Sequence, residues 1–278
     1  MTDPNAPWLI WLALFGWIGG AILVALWESL APRRPEGQHL VQRWMTNLSL
    51  FAVNEGVAFA LRAAALSTGL WAGSETGVGL FRMLELPFWA QCAALLVISD
   101  FVGYWQHRIE HLWAPLWRIH AIHHTDVEID FSTNFRHHPL EVILSTMVAL
   151  VVGWVLGPAL AVWIVVQAIS HTVQYLNHGN VRIPDAADRG LRRLIVTPDM
   201  HRIHHSRERV ETDRNFGNVF PWWDRLFGTY RTRPWEGQLD LVAGLEYFRE
   251  PREITLFKLL AMPFTWPRER SLQGQRTA

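Results

Sequence analysis

The chain has 278 residues, half of them apolar and sixteen of them tryptophan, and its 25 basic and 25 acidic side chains leave no net charge. That length holds one large domain or two small ones, and the charge balance gives no bulk electrostatic basis for binding nucleic acid. A single cysteine, Cys92 in an apolar stretch, excludes an intrachain disulfide framework and a cysteine-rich metal site. The apolar share and the tryptophans, which concentrate at membrane interfaces, point to a bilayer.

In chain order, the opening Met1-Thr2-Asp3-Pro4-Asn5 lacks the basic region of a cleavable signal peptide, so the first apolar span is expected to be retained. Crossing a hydrocarbon core takes roughly 20 apolar residues, and 7–27, 48–71 and 84–105 are long enough. A fourth stretch, 140–170, is too long for one straight span. Gly157-Pro158 divides it, which predicts a helix pair or a kinked helix that dips in and returns. Arg33, Arg34 and Arg43 lie between the first two spans and only Arg82 between the second and third. By the positive-inside rule the N-terminus is outside and the chain re-enters the cytoplasm just before His107. The polar segments 107–139 and 171–278 then form a cytoplasmic cap, within which 256–266 is apolar but too short to span. It lies along the interface or packs against the cap. Pro234-Trp235-Glu236-Gly237 reads as a turn, and 268–278 as a frayed end. The expected fold is an all-α integral membrane protein, one domain over 1–278, with about four transmembrane helices or helix pairs and a helical, histidine-rich cap.

Eight of the thirteen histidines fall in three clusters: His107 with His111, His120 with His123 and His124, and His201 with His204 and His205. Residues three and four apart share a helix face, so each cluster aims its imidazoles at one point. Neutral imidazole binds iron, zinc and copper well, and eight exceed what one four- to six-coordinate ion needs. Two metals are expected. Asp100, two turns before His107, either accepts a hydrogen bond from a ligating imidazole or pairs with Arg108 or Arg118. Asp199 and Asp213 either bond imidazoles, cap helices or pair with arginines. Glu110, inside the first cluster, reads as facing away from its histidines. Arg189, Arg192, Arg193, Arg202, Arg207 and Arg209 read as a basic face for lipid head groups or an acidic redox partner.

These boxes, followed by Arg136-His137-His138-Pro139-Leu140-Glu141 and by Asp213-Arg214-Asn215-Phe216-Gly217 and Trp223-Asp224-Arg225-Leu226-Phe227-Gly228-Thr229-Tyr230, resemble the fatty acid hydroxylase/sterol desaturase superfamily of membrane non-haem di-iron enzymes. The resemblance covers 100–230, with Arg43-Trp44-Met45-Thr46-Asn47-Leu48 a weaker upstream echo. It implies that His107, His111, His120, His123, His124, His201, His204 and His205 are metal ligands. His178, in Asn177-His178-Gly179-Asn180, matches the additional histidine that the family places before its last box. Four residues before His178, where the family often has another, stands Gln174, so Gln174 and His171 compete for a tenth place. His138 is a candidate ligand or, with His137, orients ligands or lines the pocket; His39 is an ordinary loop histidine. The closing signature is read as packing that braces the third cluster.

What the resemblance implies chemically is two iron ions reducing dioxygen to attack an unactivated C–H bond, by hydroxylation, desaturation or oxidation beside an ether oxygen of a fatty acyl, sterol-like or ether lipid. No Gly-rich dinucleotide fingerprint and no cysteine set for an iron–sulfur cluster occurs in these residues, so an external ferredoxin- or cytochrome-type donor with its reductase is expected. The setting is a bacterial inner membrane, with the site on the cytoplasmic face. A zinc-dependent membrane hydrolase is the main rival, although His-Glu-x-x-His is absent. A metal transporter or metal-binding membrane protein is the other, although its ligands would sit at mid-membrane rather than after the spans.

Overall fold

The computed structural model describes residues 8, 11, 15–35, 37, 39–67 and 79–266. Eight helices carry the argument: α1 Gly20–Leu30, α2 Leu40–Ser67, α3 Phe88–Leu112, α4 Ala114–His120, α5 Pro139–Leu156, α6 Leu160–His178, α7 Pro198–His204 and α8 Leu256–Thr265. Among the described residues there is no strand, only the isolated bridges Pro32–Val181 and Ser206–Ala243. The protein is an all-α integral membrane protein. Among the described residues three helices are long and apolar enough to cross a bilayer, over Leu40–Ala65, Phe88–Leu112 and Pro139–Leu156, and within their apolar windows only 22%, 17% and 22% of residues are buried by the chain itself. Outward faces carrying Phe59, Trp89, Val151 and Trp154 are what lipid covers at no cost and water does not.

The sequence boundaries shift for identifiable reasons. Of 7–27, residues 8 and 11 are described, as is a π-helical turn, Phe15–Gly19, running into α1, and Phe15–Leu30 by itself is shorter than a span; the other residues before Phe15 lie outside the described ones. Gly16 and Gly20 let this segment lie directly on α6, since a Cβ on Gly16 would sit 2.2 Å from Ala168 Cβ and one on Gly20 2.8 Å from Thr172 Oγ1. Its C-terminal end is tied to the cap through Glu28, whose carboxylate accepts from the amides of Phe131 and Asn180. The second span begins at Leu40 rather than 48, because the polar Arg43 and Asn47 are buried against the cap. Residues 68–71, the end predicted for it, lie outside the described residues, as do 268–278.

The fourth stretch is the helix pair its Gly-Pro predicts. Gly157 closes α5 in the left-handed conformation (φ 60°), Pro158 stops continuation, and α6 starts at Leu160. At the other end of α5, His138 caps with Nδ1 accepting from the Leu140 amide and Pro139 fills the first turn. The two halves part: α5 packs on α2, and α6 on α3 and α7. Of the two readings of 256–266, packing on the cap holds: Leu259, Met262 and Trp266 join Leu50, Ala121 and Ile122 in one core, while Phe257 and Phe264 stay exposed.

Beneath the second histidine cluster runs a buried ionic knot. Arg43 donates to Asp126 (2.6 and 3.0 Å) and Asp130 (3.0 Å), and Arg136 to Asn47 Oδ1 (2.8 Å) and Thr125 Oγ1. Burial works to raise the Asp126 pKa, but the Arg43 and Arg136 guanidiniums overrule it and hold it at about 2. The upstream echo and the Arg136 element thus meet here, fixing the loop that carries His120 to His124. Asp126→Ala takes one of two buried carboxylates from Arg43, leaving Asp130, and removes the main charge that offsets buried Arg136; the expected cost of about 3 kcal/mol is read as a lower Tm in micelles.

Candidate metal centre

The crossing helix α3 carries His107 and His111 in its last two turns, α4 ends on His120, and the following 3-10 turn supplies His123 and His124. His178 closes α6, and α7 with its cap residue carries His201, His204 and His205. All nine are buried. They form two groups whose ligand atoms lie within 4.8 Å of one another: His107, His111, His120, His124 and His204, and His123, His178, His201 and His205.

In the second group the Nε2 atoms face one another, 3.1 Å from His123 to His178, 3.0 Å from His178 to His201 and 3.3 Å from His201 to His205. In the first, His120 and His124 Nε2 are 3.2 Å apart, while Nε2 of His107, His111 and His204 is buried with no hydrogen-bond partner among the described residues. Nitrogens held on one ion at about 2.1 Å and near right or tetrahedral angles lie about 3.0–3.4 Å apart. The donor sets therefore fit two nitrogen-liganded ions.

The opposite ring nitrogens are held from outside. Nδ1–H of His107 donates to the Phe216 carbonyl (2.9 Å), of His204 to that of Arg214 (2.8 Å), and of His178 to that of Gln174 (2.8 Å). His111 Nδ1 meets Asp213 Oδ1 (3.1 Å), and His120 Nδ1 meets Glu141 Oε1 (3.0 Å). This fixes the tautomer that presents Nε2 inward. Burial first, and then neighbouring imidazoles, push His123, His124, His201, His204 and His205 well below the usual imidazole range. They are neutral at pH 7, the form that binds metal. For His120 burial pulls the same way, but the Glu141 carboxylate outweighs it and the pKa rises.

Other predicted residues fall elsewhere. His171 joins neither group; its ring lies against Trp17 and Tyr175, and Gln174 contributes its backbone carbonyl to His178. His138 spends both nitrogens, on the Leu140 amide and on the Leu260 carbonyl (3.1 Å), so neither is left for a metal. Asp100 touches no imidazole: it accepts from the amides of Val219 and Phe220 and from Trp223 Nε1, bracing the loop that presents Phe216. Asp213 both bonds His111 and pairs with Arg209 (2.6 Å), whereas Asp199 pairs with Arg33 and Arg202. The basic face is largely spent internally, since Arg192, Arg202, Arg207 and Arg209 serve Asp188, Asp199, Glu208 and Asp213. The reading of Glu110 was wrong: it is buried on the histidine side, its carboxylate 3.5 Å from His120 Nδ1. Sequence reasoning also passed over Glu141, which links His120 to His137 (2.9 Å) and is the last residue of the Arg136 element.

Both groups adjoin a cavity of about 1620 Å³ between α2, α3, α5 and α6, to which His107, His120, His123, His178 and His201 contribute wall. Asp224 ties the two parts of the closing signature together by accepting from the amides of Phe216 and Gly217 and from Thr229 Oγ1.

The fatty acid hydroxylase family profile matches residues 92–229. An ornithine lipid hydroxylase of Rhizobium tropici is 30% identical over 157 residues, covering 56% of this chain and 46% of its own length. The alkylglycerol monooxygenase of Danio rerio is 26% identical over 248 residues, 87% of this chain and 52% of its own. A very-long-chain aldehyde decarbonylase of Oryza sativa is 29% identical over 159 residues, 55% and 58% respectively. The chain spans about half the length of these relatives. No solved structure matches it significantly. The matched stretch runs from within α3 to the threonine that Asp224 holds, enclosing all nine converging histidines, and the chain belongs to the fatty acid hydroxylase superfamily.

Proposed function

We propose that the protein is a membrane-bound di-iron oxygenase of lipids, with one ion held by His107, His111, His120, His124 and His204 and the other by His123, His178, His201 and His205. The observation that carries this reading is the convergence of nine buried imidazoles into two groups beside one cavity, whose wall includes His107, His120, His123, His178 and His201. Relatives named for ornithine lipid hydroxylation and alkylglycerol oxidation support lipid as the substrate class. When bound, the irons supply the reduction of dioxygen and the removal of hydrogen from carbon. Hydroxylation then balances as one C–H, one dioxygen, two electrons and two protons giving one C–OH and one water; desaturation releases two waters.

The chain's own part is positional. The Phe216, Arg214 and Gln174 carbonyls and the Asp213 and Glu141 carboxylates hold the outer imidazole nitrogens, so the inner lone pairs keep their aim through turnover. The cavity walls keep bulk water from the reacting carbon and hold the lipid beside the histidines. Electrons come from a ferredoxin- or cytochrome-type carrier and its reductase.

Metal analysis of gently purified protein tests the centre: two irons per chain are expected, and one zinc per chain would favour the hydrolase. In this reading the protein sits in a bacterial inner membrane with the histidines at the cytoplasmic face. A Cys92→Ala background carrying Glu208→Cys or Arg193→Cys, both exposed positions, should react with an impermeant thiol reagent only after the membrane is opened. Reaction in intact cells would reverse the orientation.

A further inference from the structure

The cavity is not uniform along its length. From His178 outward, α6 presents Gln174, His171, Ser170 and Gln167 to it, and then Ile164, Trp163 and Leu160. On α5 the wall passes from Glu141, Ser145 and Thr146 to Ala149 and Leu150, and on α3 Gln106 stands beside His107. At about 1.5 Å per helical residue, the polar stretch on α6 reaches about 16 Å from His178 before the wall turns apolar. Gln91, in the outer half, is occupied with the Leu86 carbonyl and the Ala159 amide, and Arg82 stands nearby at the far end.

Polar side chains inside a membrane protein are costly unless something bonds to them. Here Asn54 Oδ1 and His171 Nε2 are buried and without a hydrogen-bond partner among the described residues. A purely hydrocarbon occupant would leave them so. Glu55 and Arg62, 3.9 Å apart, both face this half. With the Glu110 and Glu141 carboxylates also on this wall, it carries no excess of positive charge to hold an anion.

Resting on the function proposed above, we propose that the half of the cavity beside the histidines is a head-group chamber. The substrate is an amphiphile with an uncharged or zwitterionic, hydrogen-bonding head. It seats that head among Gln106, Ser145, Gln167, Ser170 and His171 and lays its chain along Leu150, Leu160 and Trp163. The C–H bond converted to C–OH, with dioxygen and the external donor balancing the step as above, therefore lies near the head and not at the methyl end.

Photolabelling tests this without turnover. Two octadecyl glycerol ethers are used, one with a diazirine beside the glycerol and one with it near the methyl end. The first should label the peptides holding Ser145 and Gln167–Gln174, the second those holding Leu150 and Leu160–Ile164. Excess unlabelled ether should suppress both, and octadecane neither. Gln167→Leu with Ser170→Ala, away from the histidines, should weaken binding of the ether about tenfold through the loss of two hydrogen bonds. In preparations that turn over, mass spectrometry should place the new hydroxyl in the head-proximal third of the chain. Reversed labelling, octadecane competing as well as the ether, or a hydroxyl near the methyl end overturns the chamber. A preparation that labels as expected but holds no iron overturns the oxygenase reading alone.

Discussion

His204→Ala or His120→Ala is expected to strip metal from the protein and to reduce lipid oxidation by more than about a hundredfold, since removing even the hydrogen-bond partner of a ligand costs about 10–100-fold. The geometry gives the reason. His204 is buried, its Nδ1 is held by the Arg214 carbonyl and its Nε2 has no hydrogen-bond partner among the described residues. Among the described residues the other imidazoles are held elsewhere: His138 is occupied at both nitrogens, His171 joins neither group, and His137 has its Nδ1 on Glu141. Asp213→Ala should fall between, losing about tenfold in metal affinity, because His111 would keep its place but not its orientation. His39→Ala should change nothing, because that residue is exposed. Metal content by mass spectrometry and product formation are read together; full activity in both ligand variants would reject a shared centre.

How much of this was legible in the sequence depends on whether the deciding contact is local. Histidines three and four apart share a face wherever the chain is helical, and His107 with His111, or His201 with His204 and His205, needed nothing more. The break at Gly157-Pro158 is equally local, since both residues act on their own backbone. What stayed hidden was set by distant partners. Arg43 and Asn47 looked like the loop before a span, yet they belong to α2 because Asp126, Asp130 and Arg136, more than eighty residues on, satisfy them in the interior. The closing signature was read as packing, and it does pack, but its larger contribution is the backbone carbonyls of Arg214 and Phe216, which no side-chain pattern announces. Glu141 was within reach: it ends a motif quoted for its arginine and histidines. Its pairing with His120, 21 residues back, needs the turn through 123–135 that the ionic knot fixes. Glu110 failed on arithmetic, since three residues after His107 is the same face, not the opposite one.

Purified protein loaded with iron and given lipid and dioxygen should remain inactive until electrons arrive. Each turnover consumes two, and within these 278 residues no Gly-rich dinucleotide fingerprint and no cysteine set could bind a redox group to supply them. Adding a small electron carrier, its reductase and a nicotinamide donor should start lipid oxidation, with one dioxygen taken up per hydroxyl formed. Isotopic dioxygen then separates the chemistries the site could support. A hydroxylase places the label in the lipid; a desaturase leaves it all in water while still consuming dioxygen and reductant. Both require the nine imidazoles to stay neutral and convergent, the state that burial enforces on His123, His124, His201, His204 and His205. A hydrolase using the same pocket needs water alone. Turnover of a lipid ester or amide under nitrogen, with no reductant present, would remove the oxygenase reading and put metal-activated water in its place.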